Sequence, residues 1–389
     1  MVIGVLRAVQ RQFSHPGIAS LYDNIRAYLP RERFREFRTS WVLNNLIRGP
    51  RRRRRVEHKH GCELPTIINV SPTEACNLHC RGCYATAYDR NLHMEIRQLE
   101  AIIVEARRLG IYFVGFLGGE PLLYKDLLPL LERYKDVAFR ISTNGTVLDD
   151  EAVTWLKRLG NVVLFFSLEG HAEDTDFWRG AGVHRQVTEN MRRLHEEHIL
   201  FGFSALMHAG NGATLASSDF LDAMERLGNR IGLFFPYGPI GRDQHFDLVL
   251  EERRVEELFA SLEALQPRYS MLLFYEGRGP HGPDSGLVLD QGCRAGVTVH
   301  ITPTGQVEPC NGIQFSTENV FEKGLLGTFC SPFYKDVSHS VKDNKGRCMA
   351  IFEPEQVLAL VDRHKAQPSN QAALSCLRRW GDVRLGRSR

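Results

Sequence analysis

The chain has 389 residues, more than one ordinary domain, with 43% hydrophobic and 24% charged residues and a formal net charge of +3. That apolar content supports a sizeable core, while no apolar run approaches the ~20 residues of a bilayer-spanning helix, which excludes an integral helical membrane protein. The charge is uneven: residues 1–60 hold 14 Lys+Arg against 4 Asp+Glu, a net of +10 that leaves −7 for the remainder.

In chain order, the opening MVIGVLRAVQRQF is apolar but broken by Arg7 and lacks a small-residue cleavage site, so it does not read as a signal peptide. A cytoplasmic location is the expectation, and there clustered thiols point to metal binding or catalysis. RGPRRRRR at 48–55 is the densest basic stretch of an N-terminal extension over residues 1–62. Such an extension reads as a solvated arm, or as a contact with an anionic inner membrane surface, a nucleic acid or an acidic protein. Over 63–265, strand-like runs TIINVS (66–71), IYFVGFLG (111–118), VAFRIST (137–143), VVLFFSL (162–168), FGFSALM (201–207) and IGLFFPY (231–237) alternate with helical patterns. The clearest helix places Ile96, Leu99, Ile102, Ile103, Ala106 and Leu109 on one face and ends at Gly110. Others fall near 122–135, 151–159, 185–198 and 216–228. Six strand-helix units in series predict an α/β fold, either a wound parallel sheet or a partial barrel. From 266 the texture changes: QPRYS and EGRGPHGPDSG (276–286) read as a connector, and VTVHITPTGQVEPCNGIQF as a hairpin. A smaller module is therefore expected over 266–360, with a basic tail at 361–389.

The segment ACNLHCRGCYA (75–85) places Cys76, Cys80 and Cys83 in a loop directly after the first strand. Thiolates are soft ligands for zinc or iron-sulfur clusters, and parallel α/β sheets carry their chemistry at the C-terminal ends of strands. Three thiolates on a 4Fe-4S cube leave one iron open. A structural zinc site completed by His79 or a distant cysteine stays open as an alternative.

CNLHCRGCY resembles the CxxxCxxC cluster loop of the radical S-adenosylmethionine (radical SAM) superfamily, and GGEP at 118–121 resembles that family's motif for the methionine amino group of SAM. In physical terms Gly118 and Gly119 allow close backbone approach, and Glu120 offers an acceptor to an ammonium. STNG (142–145) and SLEG (167–170) resemble segments that contact the adenosine through Ser142, Asn144, Ser167 and Glu169. The resemblance covers residues 66–240. It implies a (β/α)6 partial TIM barrel, a SAM-binding 4Fe-4S cluster, SAM itself and a reducing electron donor of flavodoxin or ferredoxin type.

CRAGVTVHITPTGQVEPC resembles the opening of the SPASM and twitch extensions, which carry auxiliary iron-sulfur clusters, although the CxxCxxxxxCxxxC block of a full SPASM module is absent. The resemblance implies one auxiliary 4Fe-4S cluster held by Cys293, Cys310, Cys330 and Cys348; buried free thiols are the plain alternative. Cys62 and Cys376 read as structural, His195 and His198 as surface residues, and His171 has no assigned role. Tyr237 and Asp243 are candidates for the substrate cavity on position alone. The expected function is SAM cleavage to a 5'-deoxyadenosyl radical that abstracts hydrogen from a peptide or a biosynthetic intermediate. A variant puts a lipid or membrane-associated molecule in that place, and a separate reading is a zinc-stabilised nucleic-acid-binding protein with RRRRR as its phosphate contact.

Overall fold

The computed structural model describes residues 16–275, 293, 295–343 and 347–387. Six strands follow the predicted runs closely: β1 (Ile67–Val70), β2 (Phe113–Phe116), β3 (Ala138–Thr143), β4 (Val162–Leu168), β5 (Phe201–Met207) and β6 (Ile231–Pro236). They pair in parallel in sequence order. Between them run the helices α4 (Ile96–Leu109), α5 (Leu127–Glu132), α6 (Asp150–Leu156), α7 (Ala172–Arg179), α8 (Val183–Glu196) and α9 (Ser218–Arg226). Alternation divides each strand between two faces. On β4, Val162, Leu164, Phe166 and Leu168 join the helix-covered core with Leu99, Ile102, Val187 and Met191, while Val163 and Phe165 face the other way. Helix α4 begins with a reciprocal cap between Glu95 and Gln98 and ends at Gly110, in the left-handed conformation, as expected.

The sheet is wider than six strands. After α10 (Glu252–Leu265), β7 (Leu272–Tyr275) pairs in parallel with β6, and β8 (Thr298–Ile301) pairs in parallel with β1. With β9 at Val307–Glu308, the ladder thus runs β7-β6-β5-β4-β3-β2-β1-β8-β9 among the described residues. The predicted hairpin forms, since β8 and β9 are antiparallel and Thr302 N–H donates to the Gln306 carbonyl. It extends the barrel sheet, however, and does not stand in a detached module. The strand LLFY was hidden in the expected connector by its polar neighbours. The stretch EGRGPHGPDSG lies outside the described residues, as does the opening MVIGVLRAVQRQF.

Two boundaries differ from expectation. Residues 16–60 are not a free arm: α1 (Pro16–Tyr28), α2 (Arg31–Phe37), a π-helical stretch (Arg38–Arg48) and α3 (Gly49–His60) lie against the N-terminal ends of the strands. Ile25, Leu29 and Phe37 pack with Val163, Phe165 and Leu200, and the Trp41 ring meets Phe113 at 4.8 Å. Asn44 donates to the Asp136 carbonyl and Trp41 to that of Asn161, both just before strands. Gly49 and Gly110 touch so closely that a Cβ on Gly49 would fall 2.6 Å from the Gly110 carbonyl oxygen. Residues 361–384 are likewise no tail. Beyond α11 (Val320–Phe329) and α12 (Pro332–Asp343), α13 (Pro354–His364) and α14 (Ala373–Arg384) pack on each other, and the buried Trp380 donates to the Ile351 carbonyl.

Candidate functional site

The loop carrying Cys76, Cys80 and Cys83 follows β1, and the GGEP segment follows β2. Two main-chain hydrogen bonds join them: Gly119 N–H to the Thr73 carbonyl at 3.0 Å, and Glu120 N–H to that of Ala75 at 2.8 Å. The approach is possible only without side chains. A Cβ on Gly118 would lie 2.3 Å from the Thr73 oxygen, and one on Gly119 2.2 Å from the Ala75 oxygen. The glycines therefore admit the cysteine loop itself, a closer partner than the ligand for which the sequence reserved them.

Glu120 is fully buried and its carboxylate accepts from Leu122 N–H, Thr143 Oγ1 at 2.8 Å and Asn144 N–H at 2.7 Å. Burial pushes its carboxyl up to about 7 against those donors. With three internal donors it ties the end of β2 to the end of β3, a use the sequence reading did not foresee. From there Asn144 turns to the cysteine loop, its Nδ2 donating to Asn77 Oδ1 at 2.9 Å and reaching Cys76 Sγ at 3.8 Å. Glu169, at the end of β4, is also fully buried; it pairs with Arg179 and accepts from Leu206 N–H. Burial raises its carboxyl, and Arg179 opposes the rise. Ser142 and Ser167 are half-buried at the ends of β3 and β4.

The residue the sequence reading missed is Arg179. Its Nη1 reaches Cys80 Sγ at 4.0 Å while Nη2 holds Glu169, so one guanidinium bridges the cysteine loop and the β4 end. Its neighbours grip the same loop: the Trp178 carbonyl accepts from Arg81 N–H, and Arg81 stacks on Phe177 at 4.1 Å. The available signal was WRG after SLEG, where an arginine ends the helix that follows a strand. Tyr237 is buried, edge-on to Trp178 and hard against Gly82, whereas Asp243 is exposed. His208, a second missed residue, stacks on Trp178 at 4.6 Å and accepts from Gly210 N–H at Nδ1. His171 meets Phe220, and His195 and His198 lie against Tyr28 at the opposite end of the barrel.

The donor set fits a cluster. Burial pushes the Cys83 thiol up to about 11, with Cys80 adding to the rise, and raises Cys80 against the pull of Arg179. Soft thiols held apolar, with cationic and amide donors aimed at two sulfurs, match the surroundings that stabilise an anionic iron-sulfur group. Among the described residues no three Cys, His, Asp or Glu side chains gather as they would around one metal ion. A four-iron cube takes one thiolate per iron and so spaces its ligands more widely than a single ion does.

A second group of thiols forms between the hairpin and α13. Cys293, Cys310 and Cys348 share one buried cluster. A hydrogen bond couples Cys293 to Cys348, drawing Cys293 down and holding Cys348 up, and burial pushes Cys310 up to about 12. The Ile313 and Ile351 N–H groups donate to the Cys310 and Cys348 carbonyls, which fixes the turns that carry those two sulfurs. Cys330 is not among them. Its sulfur is bonded to that of Cys62, 268 residues away in sequence, because α11 turns its end toward the foot of α3. The expected fourth ligand is thus diverted, and Cys62 has a partner the sequence did not disclose. Cys376 is buried against the Gly241 carbonyl.

The family model described as Radical SAM superfamily matches residues 70–227. The chain is 35% identical over 150 residues to the Fe-coproporphyrin III synthase of Methanosarcina barkeri, covering 37% of this chain and 38% of that protein. It is 32% identical over 142 residues to the mycofactocin maturase MftC of Mycobacterium ulcerans, covering 36% and 38%. The matched part thus spans about 38% of these relatives' length. Among solved structures, SuiB of Streptococcus suis bound to S-adenosylmethionine shares the fold, with a TM-score of 0.63 at 19% identity over 75% of this chain and 72% of that one.

Proposed function

From the premise that residues 70–227 are a radical SAM domain, we propose that the chain is an enzyme that cleaves S-adenosylmethionine and abstracts hydrogen from a peptide side chain or a biosynthetic intermediate. When bound, the 4Fe-4S cluster supplies the electron that splits SAM into methionine and a 5'-deoxyadenosyl radical. Cys76, Cys80 and Cys83 would hold it. The observation that carries the reading is the junction of that loop with GGEP, made by the Gly119 and Glu120 N–H groups and completed by Asn144 and Arg179 at the sulfurs.

Each remaining part of the chain has a defined task. Glu120 and Glu169 brace the strand ends, so that Ser142 and Ser167 stay half-buried as hydroxyl partners for a nucleoside. Arg179 sets the electrostatics at Cys80, and Trp178, Tyr237 and His208 wall the loop. Cys293, Cys310 and Cys348 would hold one auxiliary cluster, the three thiols being gathered in one apolar cluster. A peptide substrate is supported by the maturase relative and by the shared fold with SuiB, whose structure with a precursor peptide is known. A biosynthetic intermediate is supported by the coproporphyrin relative. A reducing electron donor of flavodoxin or ferredoxin type would serve it.

The test is anaerobic purification, metal analysis and turnover. About four irons per cluster and release of 5'-deoxyadenosine on reduction with SAM are expected. Zinc without iron, or equal nucleoside release by the Cys76→Ala, Cys80→Ala, Cys83→Ala triple variant, overturns the assignment and returns the nucleic-acid-binding reading.

A further inference from the structure

The N-terminal layer and the cysteine loop occupy opposite ends of the barrel. The hydrogen bonds that tie the layer to the barrel fall before strands: Trp41 on Asn161, Asn44 on Asp136, Arg53 on the Gly110 carbonyl, Tyr28 on Ile199, Asn24 on Ser270. The cysteine loop, GGEP, STNG and SLEG all fall after a strand. Strands of four to seven residues at ~3.3 Å per residue put roughly 13–23 Å between the two ends.

The layer uses its apolar side and few of its charges to hold itself in place. Of the five consecutive arginines only Arg53 is buried, donating to Gly110 at 3.0 Å. Burial lowers it to about 10. Arg51, Arg52, Arg54 and Arg55 are exposed, as are Lys59 and the flanking Arg48, and none of them has an ion pair among the described residues except for the contact of Arg48 with the Asn44 amide oxygen, which is uncharged. The folding role of α3 therefore leaves a basic face pointing away from the barrel with no acidic partner among the described residues.

We propose that this face is a docking surface for an anionic lipid bilayer, and that it holds the enzyme with its cluster loop turned toward the aqueous side. The choice of a bilayer over a nucleic acid rests on the composition of the chain's opening residues. The fifteen residues before α1 read MVIGVLRAVQRQFSH, largely apolar with Arg7 and Arg11 between. An apolar segment and a cluster of arginines within one N-terminal region make the composition that combines burial at the headgroup boundary with attraction to anionic lipid. Duplex binding has no use for the apolar part. The orientation follows from the fold and rests on the site assignment above, whereas the docking itself does not. Its consequence is that the substrate reaches the site from solution, which sets aside the variant in which a membrane lipid is the substrate.

Co-sedimentation of the full chain with vesicles of phosphatidylcholine alone or with one quarter phosphatidylglycerol tests the docking. Each arginine near the surface is worth about 1 kcal/mol, or roughly fivefold, so neutralising four of them should weaken binding several hundredfold at low salt and reversing them should weaken it further. Binding to the anionic vesicles only, lost in Arg51→Glu, Arg52→Glu, Arg54→Glu, Arg55→Glu and reduced in the matching Gln variant, supports the proposal. Equal binding by wild type and both variants overturns it, as does tighter binding of duplex DNA or RNA than of vesicles in the same buffer. Hydrogen exchange on vesicles tests the orientation: protection is expected over residues 48–60, and protection over 76–85 overturns it. Iron content and 5'-deoxyadenosine release without vesicles should match wild type in both variants, so failure of the enzyme assignment is read separately from failure of docking.

Discussion

Replacing Gly119 by alanine should dislodge the cysteine loop. The added Cβ falls 2.2 Å from the Ala75 carbonyl oxygen and 2.5 Å from that of Glu74, where ordinary contact begins at 3.4 Å. Both obstacles are backbone, so relief requires the loop or the GGEP segment to move by about 1 Å. That movement strains the Gly119–Thr73 and Glu120–Ala75 hydrogen bonds, 3.0 and 2.8 Å long. Two bonds at about 1 kcal/mol each and overpacking of about 1–3 kcal/mol give a cost of about 3–5 kcal/mol if the geometry is kept. If the loop yields instead, a displacement of that size costs about 100-fold in rate. Thermal unfolding and 5'-deoxyadenosine release, measured on matched iron-loaded samples, separate the two outcomes. Gly381→Ala is the control: it sits inside α14 with its nearest neighbours 3.8 Å from the new Cβ, and should be neutral or stabilise by up to about 1 kcal/mol. A Gly119→Ala protein with nucleoside release within twofold of wild type and an unchanged unfolding midpoint would falsify the reasoning.

Four further outcomes follow from the geometry. Arg179→Ala strands the buried Glu169 carboxylate, so stability should fall by about 3–5 kcal/mol in denaturant melts, with Arg179→Lys recovering only part; a loss below 1 kcal/mol contradicts the pairing. Burial, with His245, lowers His208 to about 4, so the unfolded chain takes up a proton near pH 6.5 that the native state refuses. Stability should be complete above that pH and decline as pH falls toward 4, a slope that His208→Gln flattens. In the wall beneath the cysteine loop, Glu308 accepts from Tyr88 at 2.6 Å and pairs with His300 at 2.7 Å, both fully buried. A double-mutant cycle of Tyr88→Phe with Glu308→Gln should show coupling above 0.5 kcal/mol, and strict additivity counts against the network. Cys348→Ser should lower iron content by one cluster while Cys62→Ser and Cys330→Ser leave it intact; the reverse pattern restores Cys330 as a ligand.

The six central strands were legible because both of their faces are covered, which leaves continuous apolar runs such as VVLFFSL that no helix pattern imitates. The cysteine loop and GGEP were legible because their spacing is local. What escaped was the part fixed by distant partners. The sequence shows the arginine run but not that Gly49 and Gly110 let the helix around it seat on the barrel. It shows Glu120 and Glu169 but not the donors from Asn144 and Arg179 that occupy them. It shows seven candidate ligand cysteines in chain order, and only the turn of α11 toward α3 separates Cys330 from the rest. The strand Leu272–Tyr275 is four residues long and was read with its polar surroundings, although its pairing with β6 decides where the sheet ends.

The positions of β7 and β8 bear on how portable the half that carries the cysteine loop is. Each runs along one flank of the six central strands, matching four residues of β6 and four of β1. A chain stopped at residue 265 would lose both companions at once. Two long, apolar, unpaired borders would then be open to other copies, the condition under which sheets stack into aggregates. The six-strand unit is therefore not a transplantable cassette. An exchange of C-terminal halves between related chains should keep β7 and β8 with the recipient and be joined beyond β9, the last strand of the ladder.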